Sequence, residues 1–253
     1  MTSAFAERCA ELHLPYDERF FWYHTIDLGD GLVTPGSFDY RGHLDSYAFA
    51  PELHGRSALD LGSATGFFTF ELERRGANVT SIELPSLFSW DHFPGEPPLL
   101  ISGKMQRLLP NHVPQAEETL SRFFTSHSPA EQYHYLLDGP FRFCHRVLRS
   151  RAQRVYATAY DLPHALAPQR FDLVFAGDIL AHLIDPLRAV AAMAEICDGT
   201  LIIAQALSTE PVVPRLRTSG VIAKVTTTQS GGGQICPGFS RCCVSSGFAQ
   251  WIR

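Results

Sequence analysis

The chain has 253 residues, 45% of them hydrophobic and 19% charged, with 18 Phe and 8 Tyr. That apolar supply fills the core of one large α/β domain and excludes disorder as the main state. The formal net charge of −5 excludes a generally basic surface of the kind that draws nucleic acid, and no run of 18 apolar residues is present to cross a membrane.

Residues 1–55 read as a leader that mixes charged and apolar side chains and lacks the apolar core of a signal peptide, so a cytoplasmic setting is expected. Cys9, Cys144, Cys197, Cys236, Cys242 and Cys243 form no CxxC pair, which predicts reduced thiols and no metal site. From residue 57 the chain alternates short apolar runs with helical patterns. Residues 57–61 predict a strand ending at glycine, residues 67–75 a helix stopped by Gly76, and residues 78–83 a second strand rich in β-branched side chains. Residues 154–160 predict a third strand, and residues 171–176, apolar on both faces, a buried fourth. Asp185 suits an N-cap and Pro186 the first helical position. Leu187, Val190, Ala191 and Ala194 line one helix face, Gly199 ends that helix, and residues 201–204 form a fifth strand. Strands alternating with helices imply right-handed crossovers and a doubly wound, mainly parallel α/β sheet, with the whole chain as a single domain.

Two stretches break this rhythm. Residues 93–138 exceed what one crossover needs and read as an insertion, opened by a Pro/Gly loop and holding a helix over residues 115–124, after which residues 141–151 supply the crossover helix. Residues 218–253 form an irregular and truncated C-terminal segment. A helix is expected over residues 237–248, leaving room for at most one strand after it, so part of a closing C-terminal strand pair is expected to be lacking.

The chemistry begins where the first strand ends. Asp60-Leu61-Gly62-Ser63-Ala64-Thr65-Gly66 joins an acidic strand end to a glycine-rich turn and the next helix. Glu83 ends the second strand, where a carboxylate accepts hydrogen bonds from both hydroxyls of a ribose. Asp161 follows the third strand, placed to accept from the exocyclic amine of adenine. Three acids at neighbouring strand ends predict an adenosine-containing ligand in one crevice. A dinucleotide fingerprint would read G-x-G-x-x-G, and the spacing here does not match it.

The run Asp60–Gly66 resembles the D-x-G-x-G-x-G motif of class I S-adenosylmethionine-dependent methyltransferases, with Ala64 at the middle glycine. Phe171-Asp172-Leu173-Val174-Phe175, followed by His182-Leu183-Ile184-Asp185-Pro186, is similar to the fourth-strand region of that superfamily. Trp22-Tyr23-His24-Thr25-Ile26-Asp27-Leu28, Glu83-Leu84-Pro85-Ser86 and Tyr160-Asp161-Leu162 further resemble the subgroup that includes tRNA wobble-uridine carboxymethyl-transferring enzymes. The likeness covers residues 22–207 minus the insertion. No counterpart of the basic residue that selects a carboxylated cofactor is found, so it implies S-adenosyl-L-methionine itself.

The resemblance implies a Rossmann-like methyltransferase fold and transfer of a methyl group to a small-molecule acceptor. It implies cofactor binding by Asp60, Gly62, Ser63, Ala64, Gly66, Glu83, Leu84, Asp161, Leu162 and Gly177. Asp178 and His182 are candidate catalytic groups, as proton acceptors or hydrogen bonders to the acceptor. Trp22 and His24 are candidates for an aromatic lid over the cofactor or for packing of the leader. Two alternatives stand beside this reading. One is a tRNA nucleoside methyltransferase, for which Arg142, Arg146 and Arg149 on one helix face would supply a basic stripe. The other is a cofactor-binding, catalytically impaired relative with a structural or regulatory role, suggested by the short C-terminal segment.

Overall fold

The computed structural model describes residues 4–91 and 127–205, together with two strands at 223–226 and 242–244. Strands β1 (Ser57–Leu61), β2 (Asn78–Glu83), β3 (Gln153–Tyr156), β4 (Phe171–Gly177) and β5 (Cys197–Ala204) pair in parallel. Strands β6 (Ala223–Thr226) and β7 (Cys242–Val244) extend the sheet antiparallel, giving the order β3-β2-β1-β4-β5-β6-β7. The strand order reverses between β1 and β4. In a doubly wound sheet that reversal opens a crevice at the carboxyl edge.

The helices, in chain order, are α1 (Ala4–Glu11), α2 (Phe67–Arg74), α3 (Pro129–Tyr133), α4 (Gly139–Val147), α5 (Leu162–Ala165) and α6 (Pro186–Glu195). Asp185 caps α6 by accepting from the Arg188 N–H at 3.0 Å, with Pro186 at the first helical position. Ser128 and Glu131 form a reciprocal capping box at the start of α3. A π-helical turn, His134–Asp138, joins α3 to α4. Pro140 brings no N–H to the ladder there, and a widened turn accommodates the gap.

Alternation along the strands divides the core. Ala58, Val79, Leu173, Phe175 and Ile202 face α2, α4 and the leader, where Phe5, Trp22, Phe49, Phe67, Phe68, Phe70, Phe141 and Phe143 are buried. Leu59, Leu61, Ile82, Val174 and Leu201 face the other way, onto α5 and α6.

Several expected boundaries move. The third strand stops at Tyr156 rather than running to residue 160, because its partner β2 ends at Glu83, opposite Tyr156, and no ladder continues beyond. Gly199 lies inside β5 rather than ending a helix. Between Phe171–Leu173 and Cys197–Thr200 the register shifts by one residue, and a Cβ on Gly199 would stand 2.2 Å from the Asp172 carbonyl oxygen. Glycine is the residue that fits this bulge. The crossover helix begins at Gly139 and ends at Val147. The expected helix over residues 115–124 lies outside the described residues. Within the expected helix 237–248, residues 242–244 are strand, and the closing pair expected to be incomplete is represented by β6 and β7. Pairing satisfies the backbone groups that the outer edge of β5 would otherwise leave open. No helix of the described residues is long and apolar enough to cross a membrane.

Candidate functional site

The crevice between β1 and β4 holds a cleft lined by Asp60, Gly62 and Ala64 from the first strand and its turn, Glu83 and Leu84 from the second, and Gly177, Asp178 and His182 beyond the fourth. The leader adds Tyr23, His24 and Tyr40. Tyr133 and Trp90 complete an aromatic wall.

The turn after β1 is tight. Gly62, Ala64 and Gly66 all have positive φ, at +71°, +46° and +96°. A Cβ at Gly62 would meet the Ile179 side chain at 2.8 Å, and one at Gly66 would meet the Phe70 and Phe141 rings at 2.6 and 2.8 Å. Packing inside the protein therefore requires both glycines. Four of the turn's N–H groups, those of Gly62, Ser63, Ala64 and Gly66, already have acceptors. Gly62 and Ser63 donate to the Ile82 carbonyl at 3.0 and 3.1 Å, and Gly66 donates to the Ser63 carbonyl at 2.8 Å. The Phe67 N–H, at the start of α2, donates to His24 Nδ1 at 3.4 Å.

Glu83 is 7% exposed. Its Oε2 accepts from the Ala64 N–H at 2.8 Å and its Oε1 from the Leu84 N–H at 2.9 Å. Each oxygen keeps a further lone pair for a ligand hydroxyl. Asp60 is buried and accepts from the Thr69 hydroxyl at 2.6 Å. Burial pushes its carboxyl up to about 7. Thr69 and the Arg154 guanidinium oppose that rise, and the Glu83 charge adds to it.

At the far side, Asp178 takes a left-handed turn (φ +52°), donates its N–H to the Ala204 carbonyl at 2.7 Å and accepts from Gln205 Nε2 at 3.2 Å. The His182 ring meets Trp90 edge-on at 5.6 Å, and burial lowers its pKa against the opposing charge of Asp178. It is neutral at pH 7 and able to accept a proton. Burial pushes the Tyr23 phenol up to about 12, with the charges of Asp178 and Glu83 adding, and raises Tyr40 as well. Both phenols stay protonated at neutral pH.

Of the residues singled out in the sequence, Asp60, Gly62, Ala64, Glu83, Leu84, Gly177, Asp178 and His182 line one cleft, whereas Ser63, Gly66, Asp161 and Leu162 do not. The Ser63 hydroxyl is paired with that of Ser81 at 2.7 Å, and Leu162 is fully buried in the aliphatic core. Gly66 sits behind the turn against Phe70 and Phe141. The Asp161 side chain is 61% exposed beside His164, and the cleft wall after β3 is formed by Ala157, Thr158, Ala159 and Tyr160 instead. His24 lines the cleft, while Trp22 packs edge-on against Phe5, Phe20 and Phe143.

Sequence reasoning missed Tyr40, Trp90, Asp91 and Tyr133. Asp91 accepts from the Tyr160 hydroxyl and from the Ile184 N–H, tying the segment after β2 to the loop after β4. Of the expected arginine stripe, Arg142 and Arg146 lie exposed on α4, and Arg149 lies beyond its end. Arg142 is ion-paired to Asp138 at 2.6 Å, and Arg146 donates to the Pro15 carbonyl. Among the described residues, no His, Cys, Asp and Glu cluster could hold a metal ion.

No family model matches the sequence, and no curated protein does. Solved structures are similar at low identity. Magnesium protoporphyrin IX methyltransferase from Synechocystis PCC 6803, with bound S-adenosylhomocysteine, is 13% identical over 62% of this chain and 49% of its own, with a TM-score of 0.32. An S-adenosylmethionine-dependent methyltransferase from Clostridium acetobutylicum is 13% identical over 64% and 46%, at 0.35. An O-methyltransferase family protein from Burkholderia thailandensis is 12% identical over 68% and 39%, at 0.39. The chain thus spans half or less of these structures. At these identities and scores they assign no activity.

Proposed function

We propose that the chain binds S-adenosyl-L-methionine in this cleft and transfers a methyl group to a small-molecule acceptor. The observation that carries the reading is the charge of the lining. Asp60, Glu83, Asp91 and Asp178 face the cleft with aromatic rings between them, and no Lys or Arg is among the described residues that line it. A dinucleotide brings a pyrophosphate, which needs cations or free N–H groups at a helix start. Here the N–H groups of Gly62, Ser63, Ala64, Gly66 and Phe67 donate to Ile82, Glu83, Ser63 and His24. A cationic sulfonium suits acids and aromatic faces.

When bound, the cofactor supplies a methyl group on a sulfonium that is already electrophilic. The task left to the protein is to orient the reactants and exclude water. Glu83 accepts from the ribose hydroxyls through its free lone pairs. Phe68, Leu87, Tyr133 and Leu183 keep the cleft dry. Asp178 and the neutral His182 stand where an acceptor would enter beyond β4, and either takes a proton from it.

Calorimetric titration tests the reading. S-adenosylmethionine and S-adenosylhomocysteine are expected to bind, and NAD is not. Binding of NAD alone, or of none of the three, overturns the proposal.

A further inference from the structure

Ala64 occupies a strained position. It is the one non-glycine residue of positive φ in the turn from Gly62 to Gly66, and an L side chain pays for that conformation where glycine does not. Something must hold it there. Its peptide groups are gripped from both sides: the N–H donates to Glu83 Oε2 at 2.8 Å, and the carbonyl accepts from both Nη1 and Nη2 of Arg154, each at 3.3 Å. Arg154 Nη1 also donates to the Ser63 hydroxyl at 3.2 Å.

The guanidinium is itself fixed. Its side chain is 7% exposed, it stacks on the Phe141 ring with the central carbon 4.0 Å from the centroid, and its Nε lies 3.7 Å from Asp138. Nε has no hydrogen-bond partner. A buried cation with an unsatisfied N–H is costly, and beyond Asp138 and the Phe141 ring it needs further contacts to offset that cost. Those contacts are the carbonyl and hydroxyl of the turn. Arg154 does not line the cleft. It acts on the cleft through Ala64 and, by its charge, on Asp60.

We infer that Arg154 is a positioning residue that, together with Glu83, clamps Ala64 in the left-handed conformation and so replaces the conformational freedom of a glycine in the ligand-binding turn. Glu83 then has two duties, since the oxygen that holds Ala64 belongs to the carboxylate that meets the ribose. The inference rests on the adenosyl reading of the cleft only for its effect on binding. The clamp itself is a property of the free protein.

The test is a pair of substitutions and their combination. Arg154→Met keeps the apolar stem over Phe141 and removes the donors, and Ala64→Gly removes the need for the clamp. In the free protein, amide hydrogen exchange at Ala64 is expected to speed up in Arg154→Met, and to return most of the way to the wild-type rate in Arg154→Met/Ala64→Gly. Affinity for S-adenosylhomocysteine, by calorimetry, should fall about tenfold in Arg154→Met, the scale of losing the two hydrogen bonds to the Ala64 carbonyl, and recover to within about threefold of wild type in the double variant. Arg154→Lys retains the buried charge without the two-pronged grip, so it should fall between wild type and Arg154→Met. It also serves where Arg154→Met fails to fold. Unchanged exchange at Ala64 in the arginine variants, or no recovery on adding Ala64→Gly, overturns the clamp. Should wild type bind no S-adenosylhomocysteine, the adenosyl reading fails, and the exchange measurement still decides the clamp.

Discussion

The two faces of the sheet are covered by different materials. On one side, α5 and α6 lay aliphatic side chains over Leu59, Ile82 and Val174, a layer of Leu, Ala, Ile and Met. On the other, α2, α4 and the leader build a layer of rings in which Phe175 touches Phe49, Phe68 and Tyr47. The aliphatic face reaches the cleft through Leu61, Ile82, Ala157 and Ala159. The aromatic face runs into the cleft, because Tyr40 and His24, which contact Phe68, are themselves part of its lining. Both layers therefore meet the cleft, one with aliphatic wall and the other with rings able to face a cation.

Truncation on each face is the strongest way to break that comparison. Phe175→Ala should cost about 3–5 kcal/mol and Met193→Ala about 2–5 kcal/mol, both being fully buried, as denaturant unfolding would show. Only Phe175→Ala should also weaken S-adenosylhomocysteine binding, since Phe68, which leans on it, lines the cleft, whereas Met193 does not line it. Equal losses of affinity in the two variants would erase the distinction between the faces.

Sequence periodicity describes the strands better than the helix faces that cover them. Leu201 follows the rule for a buried strand, and β1 and β2 fall at their expected residues, but the α6 face does not: Leu187 of the expected stripe Leu187, Val190, Ala191 and Ala194 is 80% exposed, and Ala189, Ala192 and Met193 are the buried residues. Asp60, Glu83 and Asp178 could be read as site residues because a strand end and a glycine turn are local signals. The aromatic wall could not. Tyr40, Trp90 and Tyr133 come from segments without a repeat, and only tertiary packing brings them to the cleft. Arg154 reads as one more arginine beside a polar helix until Phe141 and Ala64 are seen on either side of its guanidinium. Gly199 shows the same limit, since a glycine after a helix reads as a stop unless the bulge opposite Asp172 is known.

Asp60 sharpens the comparison through pH. It sits on the aromatic side, bonded to Thr69 of α2, and its folded pKa of about 7 lies above the ordinary 3.8. Between those values the folded protein holds a proton that the unfolded chain has released, so the contribution is fully present below about pH 4 and lost as pH rises through about 7. The slope is about 1.4 kcal/mol per pH unit within that window. The stability of wild type minus that of Asp60→Asn should fall from pH 4 to 7 and then level off. A flat difference would show that Thr69 and Arg154 keep the carboxylate ionised.

Glu83→Gln comes next in size. It replaces an acceptor of two backbone N–H bonds with a group that offers one acceptor oxygen, and removes a charge at the ribose position. Affinity for S-adenosylhomocysteine should fall by about 1–3 kcal/mol, as hydrogen bonds to a charged group are lost. A smaller fall would place the ribose elsewhere in the cleft.

Asp161→Ala should do least. Its carboxylate is mostly exposed, makes no side-chain bond to the helix it precedes and has His164 as its near neighbour at 3.8 Å, an exposed pair of the kind that contributes little. Stability should change by less than about 0.5 kcal/mol. Affinity should move as little, because the wall after β3 offers Ala157, Thr158, Ala159 and Tyr160 to a ligand, and Asp161 lies past them. The contrast with Glu83 is the informative part. Both acids follow a parallel strand, but Glu83 ends its strand with two backbone donors fixing its carboxylate toward the cleft, whereas β3 stops five residues before Asp161 and leaves it to the solvent side of a new helix. A loss of affinity in Asp161→Ala as large as that in Glu83→Gln would mean that the loop after β3 rearranges on binding and carries Asp161 to the adenine.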